Sequence, residues 1–321
     1  MSLVIKEIDV KSVMTKSNLP VSDFSVNPYV GCTHACKYCY ASFMKRFTDH
    51  PEPWGEFIDV KNWPEIKNPQ KYTGKEAFLG SVTDCYQPCE KKYERTRALL
   101  KQLRGSGIKL SIATKSDLVL RDIDLIRTFP EARVSFSINT LDEAFRKEMD
   151  RAAGIERRLA AMKELYDNGI QTVCQIAPIF PGITDVKAII EAVRDRCNLI
   201  WLENLNLRGD YKARILAWVH EHHPELDELY HQIYSKSDRS YWSALDAELR
   251  AYAEKEGFTY VRDDDSRRAA FGELPIIANY FYHEEVKKSA KRQKNKAVKT
   301  SAKKTKRLRG EDVRNKSERM R

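Results

Sequence analysis

Three cysteines, Cys32, Cys36 and Cys39, fall within eight residues of the segment Asn27-Pro28-Tyr29-Val30-Gly31-Cys32-Thr33-His34-Ala35-Cys36-Lys37-Tyr38-Cys39-Tyr40-Ala41. Thiols separated by three residues and then by two can wrap one cubane iron-sulfur cluster, because each thiolate reaches a different iron while Gly31 permits a tight backbone turn into the motif. Three ligands leave the fourth iron open to a chelating small molecule, whereas a cluster that only carries electrons usually has four. The competing reading is a structural zinc site that adds His34. Zinc staples prefer two separated pairs, and Cys85 and Cys89 are spaced by three residues rather than two. The chain has seven cysteines, an odd number, and their clustering speaks for metal binding over a disulfide framework. Cys174 and Cys197 sit in apolar runs and read as core thiols.

Such ligands need elements that hold them. Apolar strand-like runs at 77–82, 109–113, 133–138, 171–179 and 199–205 alternate with helical patterns at 91–103, 118–129, 156–168 and 185–196. Gly105, Gly107 and Gly169 follow helices where a left-handed cap is expected. Serial βα units require parallel strands with right-handed crossovers, so the expected fold is α/β: a partial (β/α)6 TIM-like barrel, with a doubly wound sheet as the competing architecture. In either, the site lies beyond the carboxyl ends of the strands. We expect an N-terminal extension over 1–20, the barrel over 21–210, a helical C-terminal region with a short strand at 258–261 packed on the core over 211–285, and a basic, disordered tail over 286–321.

The formal charge of +10 divides unevenly along the chain. Residues 286–321 carry 16 Lys and Arg against 3 Asp and Glu, while residues 1–285 carry 40 against 43. The tail has no aromatic residue and few large apolar ones, so it cannot bury enough surface to offset its ordering entropy. It reads either as an arm for nucleic-acid phosphates or as a solubilising tail. Residues 1–20 carry charges throughout and lack the apolar core of a secretory signal, and no apolar run approaches a membrane span, which together imply a cytoplasmic protein without a membrane partner.

The cysteine spacing, with the aromatic Tyr38 before the third cysteine, resembles the motif of the radical SAM superfamily. The resemblance implies a [4Fe-4S] cluster whose open iron is chelated by the amino and carboxylate groups of S-adenosyl-L-methionine. It further implies an external electron donor of the flavodoxin or ferredoxin type, cleavage of the cofactor to a 5′-deoxyadenosyl radical, and hydrogen abstraction from a substrate. The wider pattern is similar to the spore photoproduct lyase-like branch: Asn27-Pro28-Tyr29, Tyr38-Cys39-Tyr40-Ala41, Ser81-Val82-Thr83-Asp84, Tyr86-Gln87-Pro88, Thr114-Lys115-Ser116 and Ser137-Ile138-Asn139-Thr140-Leu141-Asp142. Within that branch the chain is most similar to the radical SAM "mobile pair" proteins of the B type, which implies a second radical SAM protein as partner.

On this resemblance Tyr38 completes the cofactor site, and Ser81, Thr83 and Asp84 meet the methionine amino group. Lys115 would meet a carboxylate or phosphate, Ser137 and Asn139 the ribose or carboxylate, and Pro178, with Pro181 and Gly182, the adenine. Local turn chemistry is the alternative for Ser, Asn and Asp at such positions. Arg151 or Arg158 would meet the cofactor carboxylate or be surface charge, and Glu203 and Asn204 are polar groups in an apolar run that would contact substrate. Photoproduct lyases carry a hydrogen-donating cysteine where this chain has Ser81. Cys85 stands four residues on as a substitute donor, or as a redox pair with Cys89, against the reading of two structural thiols. Three functions follow: a radical enzyme modifying or repairing nucleic acid, one modifying a protein, a peptide or a partner enzyme's product, and a metal-stapled, non-catalytic nucleic-acid-binding module.

Overall fold

A computed structural model describes residues 3–19, 22–262 and 274–280. The basic segment expected over 286–321 lies outside the described residues. Five short strands come first: β1 (Val4–Asp9), β2 (Met14–Lys16), β3 (Phe24–Val26), β4 (Tyr29–Val30) and β5 (Phe57–Asn62). The βα series follows with β6 (Glu76–Leu79), α1 (Glu90–Tyr93), α2 (Arg95–Leu103), β7 (Lys109–Thr114), α3 (Ile123–Ile126), β8 (Ala132–Ser137), α4 (Glu143–Met149), α5 (Ile155–Asp167), β9 (Gln171–Ile179), α6 (Val186–Val193) and β10 (Leu199–Asn204). Then come α7 (Gly209–His222), α8 (Asp227–Tyr234), α9 (Ser240–Glu256), β11 (Thr259–Arg262) and β12 (Pro275–Asn279).

The main sheet has the order β11-β12-β10-β9-β8-β7-β6-β3-β2 and is parallel except where β2 meets β3. It runs from β11 to β2 without closing among the described residues, which is the partial barrel that the βα rhythm implied. Strand alternation gives it two unlike faces. Leu110, Ile112, Val134, Phe136, Cys174 and Ile176 are buried on one. There α5 and α6 pack on β9, presenting Ile155, Ala161, Met162 and Leu165, and Val186, Ile189, Ile190 and Val193, at helical spacing. The other face carries Ala113 beside Ser135, Ser137 beside Gln175, Gln175 beside Trp201, and Glu203 beside Asn279. The same face holds the apolar cluster of Val173, Leu199 and Ile277 with Trp201, so its polar groups gather toward the strand carboxyl ends.

Several elements differ from the sequence expectation. The helix expected over 91–103 divides at Glu94, whose φ of 47° ends α1 and opens α2. The break lets the buried Glu90 carboxylate accept from the first backbone N–H groups of α2, Thr96 at 3.0 Å and Arg97 at 3.3 Å. The helix expected over 118–129 starts as a 3₁₀ segment, Asp117–Asp122, where the Ser116 hydroxyl accepts from the Leu118 N–H. In the region over 211–285 the strand expected at 258–261 is β11, and a further strand, β12, lies between it and β10, so that both extend the main sheet. In the expected N-terminal extension, β1 pairs with β5 in a second, three-stranded sheet and β2 pairs with β3. Short polar strands of this kind gain their stability from pairing partners distant in sequence, so local pattern does not reveal them.

Candidate active site

The cysteine loop leaves β4 through Gly31, which has φ +86° and no room for a side chain: a Cβ would lie 2.2 Å from the Phe57 carbonyl oxygen. Only glycine fits there. Beyond the turn Cys32 is buried, Cys36 and Cys39 are half-buried, and the Cys39 N–H donates to the Cys36 carbonyl at 3.1 Å. Burial pushes all three thiols above their usual value, and for Cys32 the neighbouring Asp84, Cys36 and Cys39 add to it. Cys36 is pushed up to about 12 by burial, opposed first by Lys115 and then by Arg158. Lys115 and the Trp54 indole act in the same direction on Cys39. Asp150, paired with Arg158, raises Cys36 more than Arg158 lowers it, so Lys115 is the cation that favours thiolates at this loop, with the Trp54 indole N–H beside Cys39.

The end of β6 fastens the loop. The Thr83 hydroxyl donates to the Gly31 carbonyl at 2.6 Å, and the Gln87 amide donates to the same carbonyl at 3.3 Å while accepting from the Thr33 N–H at 2.9 Å. Asn27 donates to the Ser81 hydroxyl at 2.9 Å and accepts from the Val82 N–H at 3.1 Å. Gly80, at φ +88°, gives this chain reversal its close approach to the Ala113 carbonyl. Asp84 is the hub. It accepts from Tyr86 N–H at 2.9 Å, the Thr114 hydroxyl at 2.8 Å and Lys115 N–H at 2.7 Å, and it faces His34 Nδ1 at 3.2 Å. Burial alone would raise its carboxyl, but His34 and these backbone donors hold it down to about 2.

A second anchor comes from the segment joining α4 to α5. Its Asp150 forms an ion pair with Arg158 of α5 at 2.7 Å, with each side chain 1% exposed. Arg158 also donates to the carbonyls of Ala153 at 2.7 Å and Ser137 at 3.2 Å, and the Tyr38 hydroxyl donates to Asp150 at 3.3 Å. Tyr38 lies edge-on to Phe180 at 5.6 Å, and the Arg151 N–H donates to the His34 carbonyl at 2.8 Å.

The structure thus brings Tyr38, Ser81, Thr83, Asp84, Lys115 and Ser137 around the cysteine loop, with Lys115 Nζ 5.8 Å from the Tyr38 ring centre. Ser81, Thr83 and Asp84 are all hydrogen-bonded within the protein, so their evident work is to hold the loop. Of the two arginines, Arg158 is buried on Asp150 and Arg151 is exposed. Asn139, beyond the end of β8, is 2% exposed and its Nδ2 meets no partner. Pro178 is half-buried near the end of β9.

Cys85 lies in the interior. It is fully enclosed, its carbonyl accepts from the Thr96 hydroxyl at 2.6 Å, and burial followed by Asp84 and Glu90 pushes its thiol well up. Cys89 lies in a separate cluster with Tyr29, Ile58 and Val60. A hydrogen donor needs access, which this packing denies to Cys85.

Sequence reasoning missed Asn27, His34 and Gln87 as the loop's fasteners, and it missed Asn279. This asparagine pairs in register with Glu203 and is 3% exposed, and its Nδ2 meets no partner. Its signal was present: Ile276-Ile277-Ala278-Asn279 ends an apolar run in asparagine, as Ile138-Asn139 does. Among the described residues no three His, Cys, Asp or Glu side chains are grouped to hold a metal ion as they stand. A cubane asks for a wider spread than a single ion, since each thiolate takes its own iron. The donor set, one buried and two half-buried thiols on one loop with the Trp54 indole N–H beside Cys39, suits such a group.

Residues 26–194 match the family described as the radical SAM superfamily. The chain belongs to the radical SAM superfamily. An uncharacterized protein of Methanocaldococcus jannaschii is 35% identical over 227 residues, covering 70% of this chain and 86% of its own length. A radical SAM Nα-GlyT isomerase of Pseudomonas phage M6 is 25% identical over 171 residues, 51% of this chain and 35% of the phage protein. Among solved structures, a point mutant of spore photoproduct lyase superposes with a TM-score of 0.51 at 18% identity, covering 70% of this chain and 66% of the lyase chain. That likeness is one of fold, and the chain spans just under two thirds of the lyase. Membership makes this an enzyme of the radical SAM class, a superfamily that works with a [4Fe-4S] cluster and S-adenosylmethionine.

Proposed function

We propose that Cys32, Cys36 and Cys39 hold the [4Fe-4S] cluster and that the enzyme directs its radical chemistry at nucleic acid. The observation that carries the first half is the cysteine loop itself, fastened from β6 through Gly31, Gln87 and Asp84 and from α4–α5 through Tyr38 and Asp150. When bound, the cluster supplies the electron that cleaves S-adenosylmethionine to a 5′-deoxyadenosyl radical. The chain's own residues position and shield: Lys115 offsets the thiolate charge, and Asn139 offers a buried amide donor to cofactor oxygens. No helix among the described residues is long and apolar enough to cross a membrane, and a cytoplasmic setting with a flavodoxin- or ferredoxin-type donor suits this chemistry. A cleft of about 380 Å³ beside His34 is lined by Lys91 and Arg151, with Arg121 and Arg157 paired to acidic residues, and its remaining positive charge suits an acidic carrier.

Two features support nucleic acid as substrate. The polar sheet face places Trp201, Glu203 and Asn279 together, a ring beside a carboxylate and an amide, which suits a planar base with hydrogen-bonding edges taken out of its stack. The chain also carries 16 Lys and Arg against 3 acidic residues over 286–321. A peptide or the product of a paired radical SAM protein is the second reading, favoured by the acidic balance of residues 1–285.

The test is anaerobic reconstitution with iron and sulfide, then dithionite and S-adenosylmethionine with single-stranded DNA or RNA. We expect 5′-deoxyadenosine, its absence in Cys36→Ala, and a new nucleoside mass in the digested polymer. Absence of 5′-deoxyadenosine from the reconstituted native chain would overturn the cluster assignment. An unaltered nucleoside pool beside a modified peptide would transfer the substrate to the second reading.

A further inference from the structure

Immediately after Cys39 the chain forms a 3₁₀ helix, Tyr40–Phe47, eight residues in length where such helices seldom exceed four. Its sequence is Tyr-Ala-Ser-Phe-Met-Lys-Arg-Phe, and only Ala41 is buried. With three residues per turn, Tyr40, Phe43 and Arg46 fall on one ridge. Tyr40 is 47% exposed, Phe43 41% and Phe47 66%, so three of the seven exposed large apolar side chains among the described residues stand on this one helix. The Arg46 guanidinium lies 4.7 Å from the centre of the Phe47 ring and 5.3 Å from that of Phe43, and the two rings meet edge to face at 6.4 Å. Between Cys36 and Thr48 there are Lys37, Lys45 and Arg46 and no acidic residue.

We infer that this helix is a stacking platform for unpaired bases of a single-stranded or locally opened nucleic acid, an inference that rests on the nucleic-acid reading above. Exposed rings with a guanidinium stacked on them, set in a purely basic segment, match the two things that unpaired strands offer: π-faces and phosphates. A protein partner would be served by the same aromatic area, but the guanidinium over both rings and the absence of acidic residues from 36 to 48 favour a polyanion that carries rings of its own. The position is functional as well. The Tyr40 hydroxyl donates to the Ser81 carbonyl at the end of β6, so the platform is tied to the strand end beside the cysteine loop. A strand stacked on Phe43 and Phe47 brings its next nucleotide to the mouth of the site.

The experiment uses the full reconstituted chain and two fluorescein-labelled 12-mers, one of mixed sequence and one wholly abasic, whose anisotropy reports binding at fixed salt. The native chain binds the base-bearing strand more tightly than the abasic one. F43A/F47A removes that preference by weakening only the base-bearing strand, by about tenfold or more, while circular dichroism and substrate-free 5′-deoxyadenosine formation stay unchanged. F47A alone, at a position 66% exposed, moves in the same direction if the double variant folds poorly. A preference that survives in both variants overturns the platform. In that case loss of binding on deleting 286–321 leaves the nucleic-acid reading standing. A native chain that binds neither strand overturns both, and loss of an acidic electron carrier in F47A with strand binding intact reassigns the helix to that carrier.

Discussion

The two sides of the site's rim satisfy their polar groups in opposite ways. At the end of β6, Asp84 is buried with four partners, and Ser81 and Thr83 each have theirs. Just beyond β8 and at the last position of β12, Asn139 and Asn279 are buried about as deeply, at 2% and 3% exposed, yet each carries an Nδ2 with no partner among the described residues. A buried donor without an acceptor costs about 1–3 kcal/mol, so a fold tolerates it where a ligand will supply the acceptor. Polar residues at strand ends are therefore of two kinds. Those near the cysteine loop are builders, used up in holding it, and those across the sheet keep a donor free among the described residues.

The contrast can be broken by substitution, most severely at the loop. Cys36→Ala should lose bound iron and all 5′-deoxyadenosine formation, read by iron analysis and chromatography; retention of both would remove Cys36 from the ligand set. Arg158→Met leaves the Asp150 charge buried and should cost about 3–5 kcal/mol in chemical denaturation, with most of it restored in D150N/R158M. Recovery in the double variant identifies a builder.

Asp84→Asn should cost about 2 kcal/mol at neutral pH. The sign follows from the carboxyl, which is held at about 2 in the fold against an ordinary 3.8. Its contribution is complete above about pH 4 and disappears as the pH falls through 2, so the acid limb of the stability profile should flatten in the variant. A limb that remains as steep would assign acid sensitivity to other groups. Asn279→Leu stands at the opposite end. Stability should change by less than about 1 kcal/mol because no hydrogen bond from Nδ2 is lost, while substrate turnover falls by about tenfold or more and substrate-free 5′-deoxyadenosine persists. A stability loss like that of Arg158→Met would make Asn279 a builder too.

Much of this was legible in order along the chain. The cysteine spacing, the five βα strands from β6 to β10 and the positive-φ caps at Gly105, Gly107 and Gly169 all depend on contacts within a few residues, and the sequence displays them directly. Asp84 and Ser81 were recognised as belonging to the site, but not as its fasteners. Their partners are His34, some 50 positions away, and Asn27, 54 positions away. Packing added what spacing could not: Cys85 is fully enclosed and set apart from Cys89, while Cys32 turns into the loop at Gly31.

What the sequence determined by itself was the chemistry: three thiols at fixed spacing on a flexible turn before a βα series, since ligand type and loop geometry are local properties. Tertiary structure decided which polar strand-end residues are used up in holding that loop. Hydrogen bonds and ion pairs between distant segments exist only once the sheet has set its strands in register, and the register alone sets Asn279 beside Glu203.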